Sequence, residues 1–132
     1  CGAAGENFFV TSQGFVTSCL EVVYKEDPAS KIFFYGRFDE KTRNLTLNKS
    51  KINLLKSRTV DKMKDCQSCF CKWHCAGDCV IKGWRQYGSL FKAGGERCNV
   101  NREIVKYILT RYISGKPIKM KDFDLASEIQ LK

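Results

Sequence analysis

The sequence predicts an α+β fold in which a small β-hairpin sheet is followed by a cysteine-rich loop region and helices. Runs of β-branched and aromatic residues between turn residues occupy the first third of the chain, and apolar residues recur at helical spacing from 99 to 114. Between them, residues 66–98 contain six of the eight cysteines. A chain of 132 residues is long enough for one domain with its own core, so we interpret residues 1–132 as a single domain.

The first expected element is a β-hairpin within residues 1–24. Its strands are the runs FFVTS and FVTSCLEVVY, and Gln13-Gly14 between them predicts a two-residue turn. Antiparallel pairing across that turn places Phe8 opposite Cys19. The glycine-containing loop before Phe8 is then long enough to bring Cys1 back beside Cys19.

The runs KIFFYGRF and NLTLN predict a second pair of short strands around DEKTR, which extends the same sheet. An apolar stripe at helical spacing then predicts a helix from Asn48 or Ser50 to about Lys64, leading the chain to Cys66.

The rest of the chain divides into three segments after Cys79. Residues 80–97 are rich in glycine and aromatics without a clear period, which predicts a loop with one helical turn at most. Residues 99–114 predict a helix that ends at Gly115-Lys116-Pro117. We interpret residues 115–132 as a tail that is mobile or docked on a partner.

Charge and hydropathy narrow the class of protein. The formal charge of +9 is compatible with nucleic acid or an acidic partner, but the basic residues are scattered, which favours a solvated surface over nucleic-acid binding. No apolar run approaches the roughly 18 residues of a membrane span, so we expect a cytoplasmic protein that does not bind membranes. The chain begins at Cys1 rather than at methionine, so we expect a piece of a larger chain.

The densest cysteine segment has the spacing Cys66-x2-Cys69-x5-Cys75-x3-Cys79. Four thiolates at this spacing can form one local site for zinc or for an iron–sulfur cluster, and spacing alone does not choose between them. The pattern differs from the cysteine run of bacterial ferredoxins. An even count of eight cysteines also permits four disulfides, although clustered Cys-x2-Cys spacing favours metal.

The complete cysteine pattern is more specific. Cys1 is followed after twelve residues by Gly14 and after four more by Cys19; the dense segment comes next, and Cys98 closes the set. Seven cysteines and one glycine with these spacings, together with Cys-Ala-Gly-Asp-Cys and Cys98-x3-Arg102, closely resemble the SPASM domain of radical SAM enzymes.

The resemblance implies two auxiliary 4Fe-4S clusters with interleaved ligands, around which the fold is organised. One cluster would be held by Cys66, Cys69, Cys75 and Cys98. The other would be held by Cys1, Cys19 and Cys79, with a fourth ligand that is either upstream of the chain or replaced by substrate or water. The dense segment would then supply both clusters, and metal binding and folding would be coupled.

The resemblance also implies a role in a larger enzyme. The Cys-x3-Cys-x2-Cys triplet that binds the catalytic cluster of radical SAM enzymes is not present in residues 1–132, so we expect this piece not to be an enzyme on its own. Its expected partners are an upstream radical SAM domain, which would bind S-adenosylmethionine, and a peptide or protein substrate. The clusters would assist electron transfer or substrate binding.

Two alternatives remain open from the sequence. One is a structural zinc module that binds nucleic acid or protein through its basic surface. The other is a disulfide-linked extracellular protein. Four further residues near the ligands are expected to have ordinary roles: Cys71 as a buried or incidental free thiol, His74 as a hydrogen-bonding residue, and Asp65 and Asp78 as solvated acids.

Overall fold

The computed structural model describes residues 8–95 and 97–118, and its fold is α+β. Four antiparallel strands form one sheet in the order β1-β2-β3-β4, each strand pairing with its neighbour in sequence. The strands are β1 (Phe9–Val10), β2 (Phe15–Thr17), β3 (Phe34–Asp39) and β4 (Asn44–Leu47). Both expected strand pairs are confirmed, as is the extension of the first pair by the second.

The register of the first hairpin differs from the prediction by one residue. Phe9 pairs with Thr17, so the expected pairing of Phe8 with Cys19 is wrong. The backbone N–H of Thr11 bonds to the carbonyl of Phe15 at 2.8 Å, which leaves three residues in the loop rather than two. Gly14 at φ 79° supplies the left-handed residue that a three-residue hairpin loop requires.

Besides the sheet, the described residues form five helices and two 3₁₀ turns. The helices are α1 (Ser30–Phe33), α2 (Lys49–Lys56), α3 (Lys72–Cys75), α4 (Val80–Tyr87) and α5 (Arg97–Ile113). The 3₁₀ turns cover Val60–Lys62 and Lys64–Cys66.

Helix α2 starts where the sequence predicts but ends earlier. The Asn48 side chain caps it by accepting a hydrogen bond from the backbone N–H of Lys51 at 3.0 Å. The expected end near Lys64 is wrong, because the chain becomes extended at Thr59. Two β-branched residues, Thr59 and Val60, lower helix propensity there, and Arg58 leaves the helix to bond distant carbonyls.

Helix α4 is a two-turn helix where the sequence predicted mainly a loop. It packs Val80 and Ile81 into the core, where they are 3% and 0% exposed. The sequence did not predict this helix because it contains Gly83, and glycine is a poor helix former. Its lack of a side chain is used here, because a Cβ at Gly83 would lie 2.8 Å from the carbonyl oxygen of Lys92.

The buried apolar residues form two separate groups. The sheet core joins β2 and β3 to α1, α2 and α4, and includes Val16, Phe33 and Ile81. A second, smaller group, here called the cysteine-side core, contains Val60, Met63, Cys66 and Ala93, with Cys98 packed against it. The two cores place the cysteines in two different environments.

Helix α5 begins at Arg97, two residues before the expected start, and it contains no buried residue among those described. Val100, Tyr112 and Ile113 are exposed by 53%, 81% and 82%. The expected tail lies mostly outside the described residues, which end at 118. Among the described helices, none combines the length and the apolar character needed to cross a bilayer.

Candidate metal centre

Five cysteines from separate parts of the chain line one cleft, here called the thiol cleft. They are Cys66, Cys69, Cys71, Cys75 and Cys98. The cavity volume of the cleft is about 20 Å³, and the empty space reaches about 310 Å³ only when its opening to solvent is counted. The cleft therefore contains all four residues expected at the first site, together with one cysteine that was not.

Two short turns hold the backbone between Cys66 and Cys75. The N–H of Cys69 bonds to the carbonyl of Cys66 at 3.1 Å, and the N–H of Cys75 bonds to the carbonyl of Cys71 at 2.9 Å. The first bond closes a turn and the second closes the single turn of α3. Cys98 reaches the same cleft from the first turn of α5.

Burial opposes ionisation of most of these thiols. It raises the pKa of Cys66, and the neighbouring Cys98 thiol adds to the shift. Burial likewise raises the pKa of Cys98, although Arg102 acts in the opposite direction. A cation bound at such thiols would stabilise the thiolate form and so promote release of the protons to solvent.

Cys69 and Cys71 form a close pair within the cleft. Their Sγ atoms are 3.3 Å apart, which is within hydrogen-bond range for sulfur. Burial and the bond to Cys69 raise the pKa of Cys71 to about 11. Burial also acts to raise the pKa of Cys69, but hydrogen bonds from Cys71 and Arg102 outweigh it and lower that pKa.

Two polar side chains of α5 face the thiols. The Nδ2 of Asn101 donates a hydrogen bond to Cys75 Sγ at 3.2 Å. Arg102 is hydrogen-bonded to Cys69, which raises the pKa of the guanidinium. The Cys98-x3-Arg102 spacing in the sequence was the signal for Arg102, whereas nothing in the sequence singled out Asn101.

Cys79 does not line the thiol cleft, although it lines a second cavity together with Cys75. It is the N-cap residue of α4 and packs against the sheet core, as does Cys19 after β2. The two thiols are close enough for their charges to interact, and burial is the main cause of the raised pKa of Cys19. Cys1, the remaining residue expected at this second site, lies outside the described residues.

The change of direction between Cys75 and Cys79 comes from three consecutive left-handed residues. Ala76, Gly77 and Asp78 have φ values of 52°, 76° and 63°. Such a conformation is unfavourable for residues other than glycine and requires support from the surrounding structure. It sends Cys79 away from the thiol cleft.

Arg58 supplies that support. Its guanidinium donates to the carbonyl oxygens of Leu90 at 2.7 Å, Gly77 at 2.8 Å, Ala76 at 3.2 Å and Asp78 at 3.3 Å. Burial lowers the pKa of Arg58, while the nearby thiols of Cys66 and Cys79 act to raise it. The role of Arg58 was not predicted, because the carbonyl groups to which it bonds lie 18 to 32 positions away in the sequence.

Three other residues near the thiols have distinct surroundings. The expectation that Asp78 is a solvated acid is wrong: its side chain is 6% exposed, and it pairs with Arg97 at 3.5 Å. Asp65 is 40% exposed and pairs with Lys92 at 3.2 Å, as expected for a solvated acid. His74 is exposed and lies outside the thiol cleft.

The described cysteines are all free thiols. Within residues 8–95 and 97–118, no group of three or more His, Cys, Asp or Glu side chains is arranged to hold a single metal ion. A tetrahedral zinc site, with Zn–S bonds of about 2.3 Å, would require four sulfurs about 3.8 Å apart. Among the described cysteines, the sulfurs of Cys69 and Cys71 are 3.3 Å apart.

No protein-family model matches the chain, and no curated protein matches it significantly.

Proposed function

We propose that this chain is an iron–sulfur domain whose thiol cleft holds one 4Fe-4S cluster through Cys66, Cys69, Cys75 and Cys98. One observation carries the proposal: Cys98 from α5 lines the same cleft as the cysteines of the dense segment, whereas Cys79 packs against the other core. A local zinc site would instead use Cys79, which is only four residues from Cys75. The non-local grouping matches the ligand set implied by the resemblance to SPASM domains.

The chemistry of the cleft fits such a cluster. All its sulfur donors are reduced, and thiolates are the usual ligands of iron–sulfur clusters. Asn101 and Arg102 direct hydrogen-bond donors at two of the sulfurs, and such donors tune cluster potentials. When bound, the cluster would supply one-electron transfer or a binding site for substrate.

A second cluster is proposed at Cys19 and Cys79, with Cys1 as a third ligand. The proximity of the first two thiols supports it, and both line the edge of the sheet core. The fourth ligand is proposed to come from another part of a longer chain, from substrate or from water.

We further propose that the domain belongs to a radical SAM enzyme that modifies a peptide or protein. The support is the resemblance in cysteine spacing, and the exposed apolar side chains of α5 offer a surface for an adjoining domain. In such an enzyme an upstream domain would bind S-adenosylmethionine. This domain would supply the auxiliary clusters without performing the reaction itself.

Anaerobic reconstitution with iron and sulfide tests the proposal. Two clusters predict about eight iron and eight sulfide per chain, with the brown absorption of 4Fe-4S centres. Colourless protein that binds zinc in preference to iron would contradict it and favour the zinc module.

Paired substitutions test the division of ligands. Cys79→Ala should lose one cluster, and Cys19→Ala/Cys79→Ala should lose no more iron than Cys79→Ala alone, because both residues serve the same cluster. The matched variant Cys75→Ala/Cys79→Ala should lose both clusters. Equal iron contents in the two double variants would refute the interleaved assignment.

A further inference from the structure

The thiol cleft contains one more sulfur donor than a four-ligand cluster uses. Cys71 is 2% exposed, lines the cleft and belongs to neither apolar core. Its closest sulfur is that of Cys69, at 3.3 Å. Its burial and this contact place the Cys71 sulfur at the thiol cleft, beside an expected ligand.

We propose that Cys71 is a replacement ligand for Cys69, so that either thiol can complete the site formed by Cys66, Cys75 and Cys98. This inference rests on the proposed function of the cleft. It assigns a role to the one cysteine that the SPASM-like spacing leaves unused.

The two thiols differ in exposure rather than in backbone support, because the N–H and C=O groups of Cys69 are also hydrogen-bonded, at 3.1 and 3.2 Å. The carbonyl of Cys71 accepts bonds from the N–H groups of His74 and Cys75, at 3.0 and 2.9 Å, so Cys71 is fixed at the start of α3. Cys69 lies in the preceding turn and is only half-buried. The more exposed thiol can therefore swing outward while the buried one stays in the cleft.

The guanidinium of Arg102 can pair with the Cys69 sulfur once that sulfur has left the metal. Both residues line the thiol cleft, and the charge of the guanidinium favours a Cys69 thiolate. A Cys69 sulfur released from iron remains paired there. Exchange then requires only a local movement of one side chain.

The exchange of ligands needs no external oxidant, reductant or acid. The Cys71 sulfur forms a bond to iron as the Cys69 sulfur releases its own bond. The proton of the Cys71 thiol passes to Cys69 across the 3.3 Å contact. Neither sulfur changes oxidation state, and no electron is gained or lost.

Four proteins test the proposal: the unsubstituted chain, Cys69→Ala, Cys71→Ala and Cys69→Ala/Cys71→Ala. Each is reconstituted anaerobically, and iron and sulfide are measured together with the absorption and electron paramagnetic resonance spectra. Each single variant should keep the iron content of the unsubstituted chain, and Cys69→Ala should show a shifted spectrum. The double variant should lose one four-iron cluster, as should the control Cys75→Ala.

A Cys69→Ala variant that loses as much iron as the double variant would overturn the proposal. If that variant does not fold, Cys69→Val and Cys69→Val/Cys71→Ala replace the pair, and retention of the cluster in the second of these also overturns it. Failure of the unsubstituted chain to bind iron would instead refute the proposed function, so the two failures are distinguishable.

Discussion

The thiols of the cleft differ in how readily they ionise, and this difference is visible before any metal binds. Burial raises the pKa of Cys66, Cys71 and Cys98, whereas hydrogen bonds lower that of Cys69. Metal ligation requires thiolates and therefore releases protons. Iron uptake should consequently strengthen as the pH rises, and the first thiolate to form should be Cys69.

Alkylation of the metal-free, reduced chain tests the order of ionisation. At pH 7 Cys69 should react with iodoacetamide faster than Cys66, Cys71 or Cys98, because only the thiolate is nucleophilic and Cys69 is half-exposed. Peptide mass spectrometry at several times measures the rate at each cysteine.

Arg102→Gln should slow alkylation of Cys69, since it removes the guanidinium that lowers this pKa. Each unit of pKa change alters the thiolate fraction by roughly tenfold below the pKa. Arg43→Gln, in the exposed turn between β3 and β4, is the control and should leave the rate unchanged. An unaltered Cys69 rate in Arg102→Gln would exclude this cause of the lowered pKa.

At the scale of elements, the left-handed segment Ala76–Asp78 separates the two groups of cysteines. Arg58 bonds to all three of its carbonyls. Hydrogen bonds from a charged donor contribute about 1.5–3 kcal/mol each, so the clamp is a substantial part of local stability.

Replacing Arg58 with lysine keeps the charge but removes the planar fork that reaches several carbonyls. Arg58→Lys should lower the free energy of unfolding by about 2–3 kcal/mol, measured by denaturant titration of the reduced chain. Arg43→Lys, the same change at an exposed position, should alter it by less than about 0.5 kcal/mol. Equal effects at the two positions would show that Arg58 is not a clamp.

Alanine substitutions at two glycines distinguish two contributions to the free energy of unfolding: the strain of a left-handed backbone and the steric clash of a new side chain. Gly77 and Gly88 have φ values of 76° and 65°, but only Gly77 faces a neighbour, the fully buried Met63 side chain. Gly88→Ala should therefore lose only about 1–2 kcal/mol of stability.

Gly77→Ala should lose more stability than Gly88→Ala, because its new methyl group also displaces Met63 from the cysteine-side core. Thermal unfolding followed by circular dichroism compares the two. A smaller effect at Gly77 would mean that Met63 moves aside freely.

Local sequence signals predicted the elements whose cause is local. Alternating β-branched and aromatic residues gave both strand pairs, and Asn48 gave the start of α2. The end of α2 was missed because Arg58 bonds to Leu90 and to residues 76–78 across the fold. The hairpin register was missed because Gln13-Gly14 suits two loop lengths, and Gly14 selects the longer one through its left-handed φ.

The spacing of the cysteines predicted more of the residues that line the thiol cleft than helix or strand propensity did. Spacing grouped Cys98 with Cys66, Cys69 and Cys75 only through a resemblance, and the structure places these four on one cleft. Asp78 was misjudged because its burial depends on Gly94, whose missing side chain leaves room for the carboxylate. Such contacts between distant segments have no signature in a single sequence.

At the scale of the whole molecule, the two groups of cysteines lie beside apolar cores of different size. Cys19 and Cys79 pack against the sheet core, which ten buried residues hold together. The cysteine-side core has only four buried residues, one of them Cys66. Since burial of apolar area is the main stabilising contribution to folding, we expect the smaller group to depend more on the proposed metal.

Iron removal should therefore loosen the molecule unevenly. After chelation of the reconstituted chain under reducing conditions, amides of Cys66–Cys75 should lose hydrogen-exchange protection, because their short turns have few apolar contacts beyond the thiol cleft. Amides that pair β2 with β3 should keep most of theirs, because both strands contribute buried residues to the larger core. Exchange measured by mass spectrometry with and without iron compares the two regions within one molecule. Uniform loss of protection would show that the two cores unfold as a single cooperative unit, and unchanged protection near Cys66 would show that the thiol cleft is stable without metal.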